Sequence, residues 1–348
     1  MQTREELESL LRESGISWRS AEDGDRWMVV VPALGARILG AGIGRENAFW
    51  VPPALTTKGW DAGGNAGGQR TWIAPEAGPG GFFFSGGRWS VPAAIDPGDY
   101  RPQPAPRGWL CFRSAFTAQS ADGQGFPIAI TRRMKLEIPP KAAGNLLRIR
   151  FQHELENTGA AAIQGRVGLW SIIQLPCEEK GTILLRRTTA DGILPRPYFN
   201  DLPDGVLRGA GTVSLLGVGG GRKYKVGLPA SDSAGVVAFL RRARVPAEPP
   251  DWILTSQKFA VDPAGNYLDM PAPAAGNGDA VQAYNDPGTG EMAFCEIEAH
   301  APAARLPPGG SQEVEIEIIV ARADQPGMRE ILSRELGFDD GAEAAFSV

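Results

Sequence analysis

The chain has 348 residues, enough for one large β domain or two ordinary ones with a sizeable core. Gly 45 and Pro 29 are high but spread without a repeat, the composition of many short strands joined by tight turns. A net charge of −5 with scattered Lys and Arg makes nucleic acid and anionic membrane surfaces unexpected partners.

At the N-terminus Thr3 and Glu6 form a capping box, and Leu7, Leu10 and Leu11 make one apolar stripe ending at Gly15. This predicts a helix over about 3–15, packed outside the sheets. Strands are expected at 28–31, 37–41 and 48–51. From 56 to 106 the pattern dissolves into turns carrying Trp60, Arg70, Trp72, Phe82, Phe83, Phe84, Arg88 and Trp89. A loop region so long and so aromatic reads as functional, since its composition is not that of a disordered segment.

The clearest half-buried strand runs over 147–155, where Leu147, Ile149, Phe151, His153 and Leu155 alternate with charged and polar residues. His153, among those apolar neighbours, reads as a core histidine. Further strands are expected at 164–175, 182–189, 212–216, 223–226, 235–241, 252–261 and 312–320. The last of these sets Val314, Ile316, Ile318 and Val320 against Glu313, Glu315 and Glu317. Gly219-Gly220-Gly221-Arg222 lacks the Lys-Ser/Thr of a phosphate loop and reads as a hairpin turn. Met328, Ile331, Leu332 and Leu336 predict a closing helix over about 328–337. With even strand spacing and no linker-like tract, the whole chain, 1–348, reads as one all-β domain. The antiparallel sandwich covers about 27–322, with short peripheral helices.

The stretch from Gly290 to His300 carries the chemistry. As a strand it places Glu296, Glu298 and His300 on one face and Ala293, Cys295, Ile297 and Ala299 on the other. That pattern fits a solvated strand face, and equally a row of acid/base groups on the concave side of a sheet. A divalent metal on this row is set aside for want of further histidines, and no cofactor is expected. Cys111, Cys177 and Cys295 are too far apart in sequence for a zinc cluster or disulfide framework. A polar N-terminus and no apolar run of roughly 20 residues lead to the expectation of a cytoplasmic protein.

Several motifs occur in a characteristic order over roughly 30–322. They are Leu34-Gly35-Ala36-Arg37-Ile38-Leu39-Gly40, then Phe49-Trp50-Val51-Pro52, then the run from Gly67 through Gln69-Arg70-Thr71-Trp72 to Glu76. Glu156-Asn157-Thr158-Gly159, Lys225-Val226-Gly227, Asn266-Tyr267-Leu268-Asp269 and Tyr284-Asn285-Asp286 follow, leading to Glu296-Ile297-Glu298 and Leu306-Pro307-Pro308-Gly309-Gly310. In this succession the chain resembles the galactose mutarotase-like superfamily, in particular its epimerase-like branch. The resemblance implies a β-supersandwich whose concave face binds a sugar. In such proteins a late glutamate takes the anomeric proton and a histidine protonates the ring oxygen.

Glu298 matches the family glutamate, with Glu296 as the fallback, and Arg70 and Glu76 fall on the sugar-facing loop. The chain departs from the family at both usual histidine positions, which read Asn65-Ala66-Gly67-Gly68-Gln69-Arg70 and Gly168-Leu169-Trp170-Ser171-Ile172. His300, two residues along the face from Glu298, is the candidate acid. Arg70 either clamps substrate or pairs with Glu76. Trp72, Trp89 and Trp170 either stack on a pyranose or pack in the core. Asp269 and Lys258 either touch a polar ligand or belong to the solvated surface. The functional expectation is a carbohydrate-binding protein, an aldose 1-epimerase-like isomerase if active. The rivals are a non-catalytic sugar binder and a protein-binding scaffold; oligomeric state is left open.

Overall fold

The computed structural model describes residues 3–55, 64–78, 80–85, 87–137, 145–177, 180–199, 201–244, 251–271, 277–288, 292–339 and 341–347. Trp60 and Gly290, named above, lie outside them. Two ten-stranded antiparallel sheets pack face to face among the described residues. In spatial order, the principal strands of the first are Arg19–Asp23, Arg26–Val31, Arg37–Ile43, Gln69–Ala74, Gly168–Pro176, Phe294–His300, Asp279–Asp286 and Tyr224–Pro229. The second runs from Leu207–Ala210 through Val213–Val218, Gly181–Arg187, Ser233–Arg242, Trp252–Phe259, Ser311–Ala323, Asn145–Asn157 and Gly125–Glu137 to Leu110–Gln119. This is the all-β, antiparallel sandwich that the strand pattern predicts.

The period of two decides which residues meet between the sheets. Ile73, Ile173, Cys295, Ile297 and Val281 of the first sheet share a core with Phe151, Ile149, Ile316, Ile318, Val237 and Phe239 of the second. The first helix is Arg4–Glu13, with the capping box from Thr3 to Glu6 present, and its Leu7 and Leu11 pack on Trp27, Val29 and Leu39. The second is Gln325–Leu336, capped by Asp324 and stopped by the left-handed Gly337. Its Met328, Ile331 and Leu332 cover the outer face of the second sheet.

Several expectations are corrected. Residues 48–51 form no strand: only Glu46–Asn47 pairs, and beyond it Trp50 makes isolated backbone bonds to Gln174 and Gly68 before two prolines. The region 56–106 is not loop throughout, because Gln69–Ala74 is a fully buried strand in the middle of the first sheet. Gly68, with φ +68°, turns the chain into it; a Cβ there would meet the Ile38 carbonyl oxygen at 2.5 Å. Gly219–Arg222 is not a hairpin turn, since the strands it joins belong to different sheets. The long strands Leu110–Gln119 and Gly125–Glu137 carry polar residues on their inner faces, and their apolar alternation is broken in the sequence.

Arg132, from the second of these strands, and polar residues of neighbouring strands form a second, hydrogen-bonded layer between the sheets. Arg132 is 1 % exposed and donates to the Gly35 carbonyl and to the Gln69 side chain. Thr71 and His153 share a hydrogen bond of 2.8 Å, and Ser171 donates to Gln257 at 2.7 Å. His153 is thus a core histidine, and burial holds its imidazole well below the ordinary range. Arg132→Ala leaves two buried acceptors without their donor and opens a cavity. It should cost about 3 kcal/mol or more in urea unfolding, and a loss within experimental error would show that water replaces the guanidinium.

Candidate functional site

Residues that point away from the core on the first sheet form a polar and aromatic field. The register sets Trp72, Trp170 and His300 side by side, then Arg70, Ile172, Glu298 and Gln282, then Gln174, Glu296, Tyr284 and Lys225. Loops roof this face, so side chains whose sequence pattern fits a solvated face as well as a concave one are buried: Glu296 is 7 %, Glu298 0 % and His300 2 % exposed. A cavity of about 580 Å³ opens over the field. Its walls include Arg70, Trp72, Glu76, Phe84, Trp89, Trp170, Tyr198, Phe199, Lys223, Lys225, Tyr284, Asp286, Phe294 and Glu296.

Two ion pairs organise the floor. Arg70 donates to Glu296 at 2.8 Å, lies over the Trp72 ring at 4.3 Å, and shares Glu296 with the Gln174 amide at 2.8 Å. Lys225 donates to Glu298 at 3.1 Å and lies 3.7 Å from Glu76, with its ammonium 4.8 Å from the Trp170 ring centre. Of the two alternatives for Arg70, the bridge to Glu76 does not form: Arg70 sits on a strand facing Glu296, and Glu76 reaches Lys225 instead.

Glu298 lies immediately behind the cavity wall, accepting from Trp170 Nε1 at 2.9 Å and from Lys225. His300 stacks on Trp170, rings 5.0 Å apart, and does not line the cavity. Its ring nitrogens stand 4.0 Å from Glu298 and 3.8 Å from Asp269, beyond hydrogen-bond length. Asp269, whose sequence context favours solvated surface, is instead buried and accepts the Glu76 backbone N–H at 2.8 Å. Lys258 is exposed, on the other sheet, and takes no part.

Burial pushes Glu298 up to about 7; Lys225 opposes the rise, and the Glu296 and Glu76 carboxylates add to it. Burial, reinforced by Glu76, also lifts Asp269 to about 7. Burial and then the Lys225 charge hold His300 well below the ordinary imidazole range, so the ring is neutral at neutral pH. Burial alone would lower Lys225, but Glu298, Glu76 and Asp269 outweigh it and keep the ammonium charged. The floor therefore holds a carboxyl group able to exchange a proton near neutrality, beside a fixed positive charge.

Of the residues picked out in the sequence, the cavity brings together Arg70, Trp72, Glu76, Trp89, Trp170 and Glu296; Glu298, His300 and Asp269 stand behind them. Lys225, Lys223, Tyr198, Phe199, Tyr284 and Asp286 gained no site role from sequence. The alternation Lys223-Tyr224-Lys225 was the available signal, because in the strand expected at 223–226 it puts two cations on one face.

The family model that matches, over residues 4–339, is described as a family of unknown function, DUF6786, and the chain belongs to that family. No curated protein matches it. Among solved structures it is similar to the Slr1438 protein of Synechocystis sp. PCC 6803, at TM-score 0.52 and 12 % identity, over 88 % of this chain and 96 % of that one. It is also similar to a galactose mutarotase-like protein of Lactobacillus casei ATCC 334, at TM-score 0.50 and 10 % identity, over 87 % of this chain and 100 % of that one. A candidate aldose 1-epimerase of Escherichia coli K12 aligns at TM-score 0.50 and 12 % identity, over 89 % and 99 % of the two chains. The fold is that of the galactose mutarotase-like proteins. No described helix is long and apolar enough to cross a membrane.

The Glu298 carboxyl binds its proton more tightly in the folded chain than in the unfolded one, where its pKa is 4.5. Its contribution to stability is therefore full below pH 4.5 and is lost as pH rises through about 7. Glu298→Gln removes this titration. Between pH 4.5 and 8 the variant should gain on the unmodified protein by up to about 3 kcal/mol in urea unfolding. Parallel pH curves for the two proteins would show that Glu298 is an ordinary carboxylate.

Proposed function

We propose that this protein binds a small carbohydrate in the cavity over the first sheet and interconverts its anomers, with Glu298 as the proton acceptor. One observation carries the binding half of the reading: the cavity walls combine flat aromatic faces with polar groups already held by partners. A pyranose offers apolar C–H faces and a rim of hydroxyls, and such a wall matches both. Arg70 and Glu296 donate to and accept from vicinal hydroxyls without leaving their own pairing, and Trp170 supplies the platform.

The catalytic half rests on the pairing of Glu298 with Lys225. Removing the anomeric proton needs a base whose pKa lies near the working pH, and Glu298, at about 7, has it. Lys225 lines the cavity, where its ammonium would protonate the ring oxygen as the C1–O bond breaks and Glu298 takes the anomeric proton; ring closure returns both protons. Glu298 itself is screened from the cavity by Lys225 and Trp170. The reading therefore requires the ligand, or the Lys225 side chain, to move so that the carboxylate is reached.

The test is a panel of aldoses and uronates, read by thermal shift for binding and by NMR exchange spectroscopy for anomer interconversion. A ligand at about 100 times its Kd should stabilise the fold by about 2.7 kcal/mol. Glu298→Gln should keep that stabilisation and lose exchange. Equal exchange by both proteins removes Glu298 as the base. Binding without exchange in either protein reduces the function to recognition. Silence in both assays, with a stable partner captured on pull-down, leaves the scaffold.

A further inference from the structure

We propose that the cavity continues outward into a second aromatic subsite, so that its natural ligand is a disaccharide or longer glycan rather than a free hexose. This rests on the carbohydrate reading above and specifies its substrate class. Among the rings that line the cavity, five mark an inner and an outer tier. Trp72 and Trp170 are each 2 % exposed, and their indole N–H groups are committed to Asp96 and Glu298. Phe84, Trp89 and Phe199 line the same cavity yet are 36 %, 38 % and 51 % exposed, which places them at its mouth.

The outer rings are held in position. Phe84–Ser85 and Arg88–Trp89 form a separate two-stranded ribbon in which Phe84 and Trp89 are direct cross-strand partners. A ribbon of two strands gains little stability by itself, and leaving two large rings on it half exposed forgoes their burial. Trp89 Nε1 donates to Glu76 Oε1 at 2.9 Å, which fixes the ring plane, and Phe199 sets its edge against Tyr284 at 6.3 Å between centres.

The two tiers are continuous. Trp72 and Trp89 have ring centres 6.5 Å apart, and Glu76 joins Trp89 on one side to Lys225 on the other. Lys223 and Asp286, ion-paired at 3.1 Å, add a polar edge at the outer level. An exposed aromatic surface running down into a lined cavity has the form of a continued ligand groove. The volume of about 580 Å³ lies within the roughly 300–1,000 Å³ of sites that enclose drug-sized ligands, which suits two sugar rings.

The experiment compares affinities of glucose, galactose and mannose with those of maltose, cellobiose, lactose and mannobiose by calorimetry. It uses the unmodified protein, Trp89→Ala and Phe199→Ala, with thermal melts to confirm folding. At least one disaccharide should bind about tenfold more tightly than its constituent hexose. Each variant should bring that ratio toward one. Phe199, on an exposed segment, keeps the test open should the ribbon variant unfold. Equal affinity for hexose and disaccharide in the unmodified protein overturns the second subsite, as does a ratio that survives both variants. A ratio of one together with a concentration-dependent dimer that the variants dissolve assigns the rings to self-association instead. Failure of every sugar to bind overturns the carbohydrate reading itself, an outcome distinct from loss of the ratio alone.

Discussion

A buried ammonium next to a buried carboxylate is the constraint around which the site is arranged. Lys225 is 6 % and Glu298 0 % exposed; the carboxylate has the ammonium as its counter-charge, and the ammonium is held by Glu298 together with Glu76 and Asp269. Their contact spans strands Tyr224–Pro229 and Phe294–His300, which the intervening strand Asp279–Asp286 separates. Trp170, on the other side, must aim its N–H at the same carboxylate, which orients the indole that walls the cavity. Glu76 is drawn toward Lys225 as well, which brings the segment after Gln69–Ala74 over the sheet and leaves its N–H on Asp269. One charge pair therefore positions a ring, a loop and a second carboxyl group.

The double burial of the first sheet makes such a pair possible. Its inner face packs on the second sheet, and its outer face is roofed by loops, so polar groups there sit in a low-dielectric setting without belonging to the core. This explains why two carboxyl groups, Glu298 and Asp269, bind protons up to about 7. It also explains why a histidine on the same face stays neutral. The field keeps proton-exchanging groups without a charged histidine: they lie on carboxyl side chains, held by other partners.

The aromatic residues between Phe82 and Trp89 divide by what their ends touch. Phe83 stacks on Trp72 and packs inward, while Phe84 and Trp89 remain at the cavity mouth. Nothing in the local composition separates these fates. The short ribbon pairing Phe84 with Trp89 turns one ring pair outward, and the indole bond to Glu76 keeps it there.

Much was legible before any coordinates. Period-two alternation announced the strand at 147–155, the acid and apolar faces of Phe294–His300, and the final strand with its glutamate row, because one side of each faces a core. The capping box announced the first helix, since Thr3 and Glu6 satisfy its free N–H groups locally. Gln69–Ala74 was hidden: a strand buried on both faces, with Arg70 paired outward and Gln69 and Thr71 hydrogen-bonded inward, shows no apolar alternation. The burial of Asp269 and the pairing of Lys225 were equally opaque, for their neighbours in sequence are not their neighbours in space. Sequence alone determined the fold class and the face on which the acids lie, because side-chain direction along a strand is a local property. Only the tertiary structure decided that this face is roofed, which acid meets which cation, and which rings stay open, because burial and charge pairing depend on residues up to 226 positions apart.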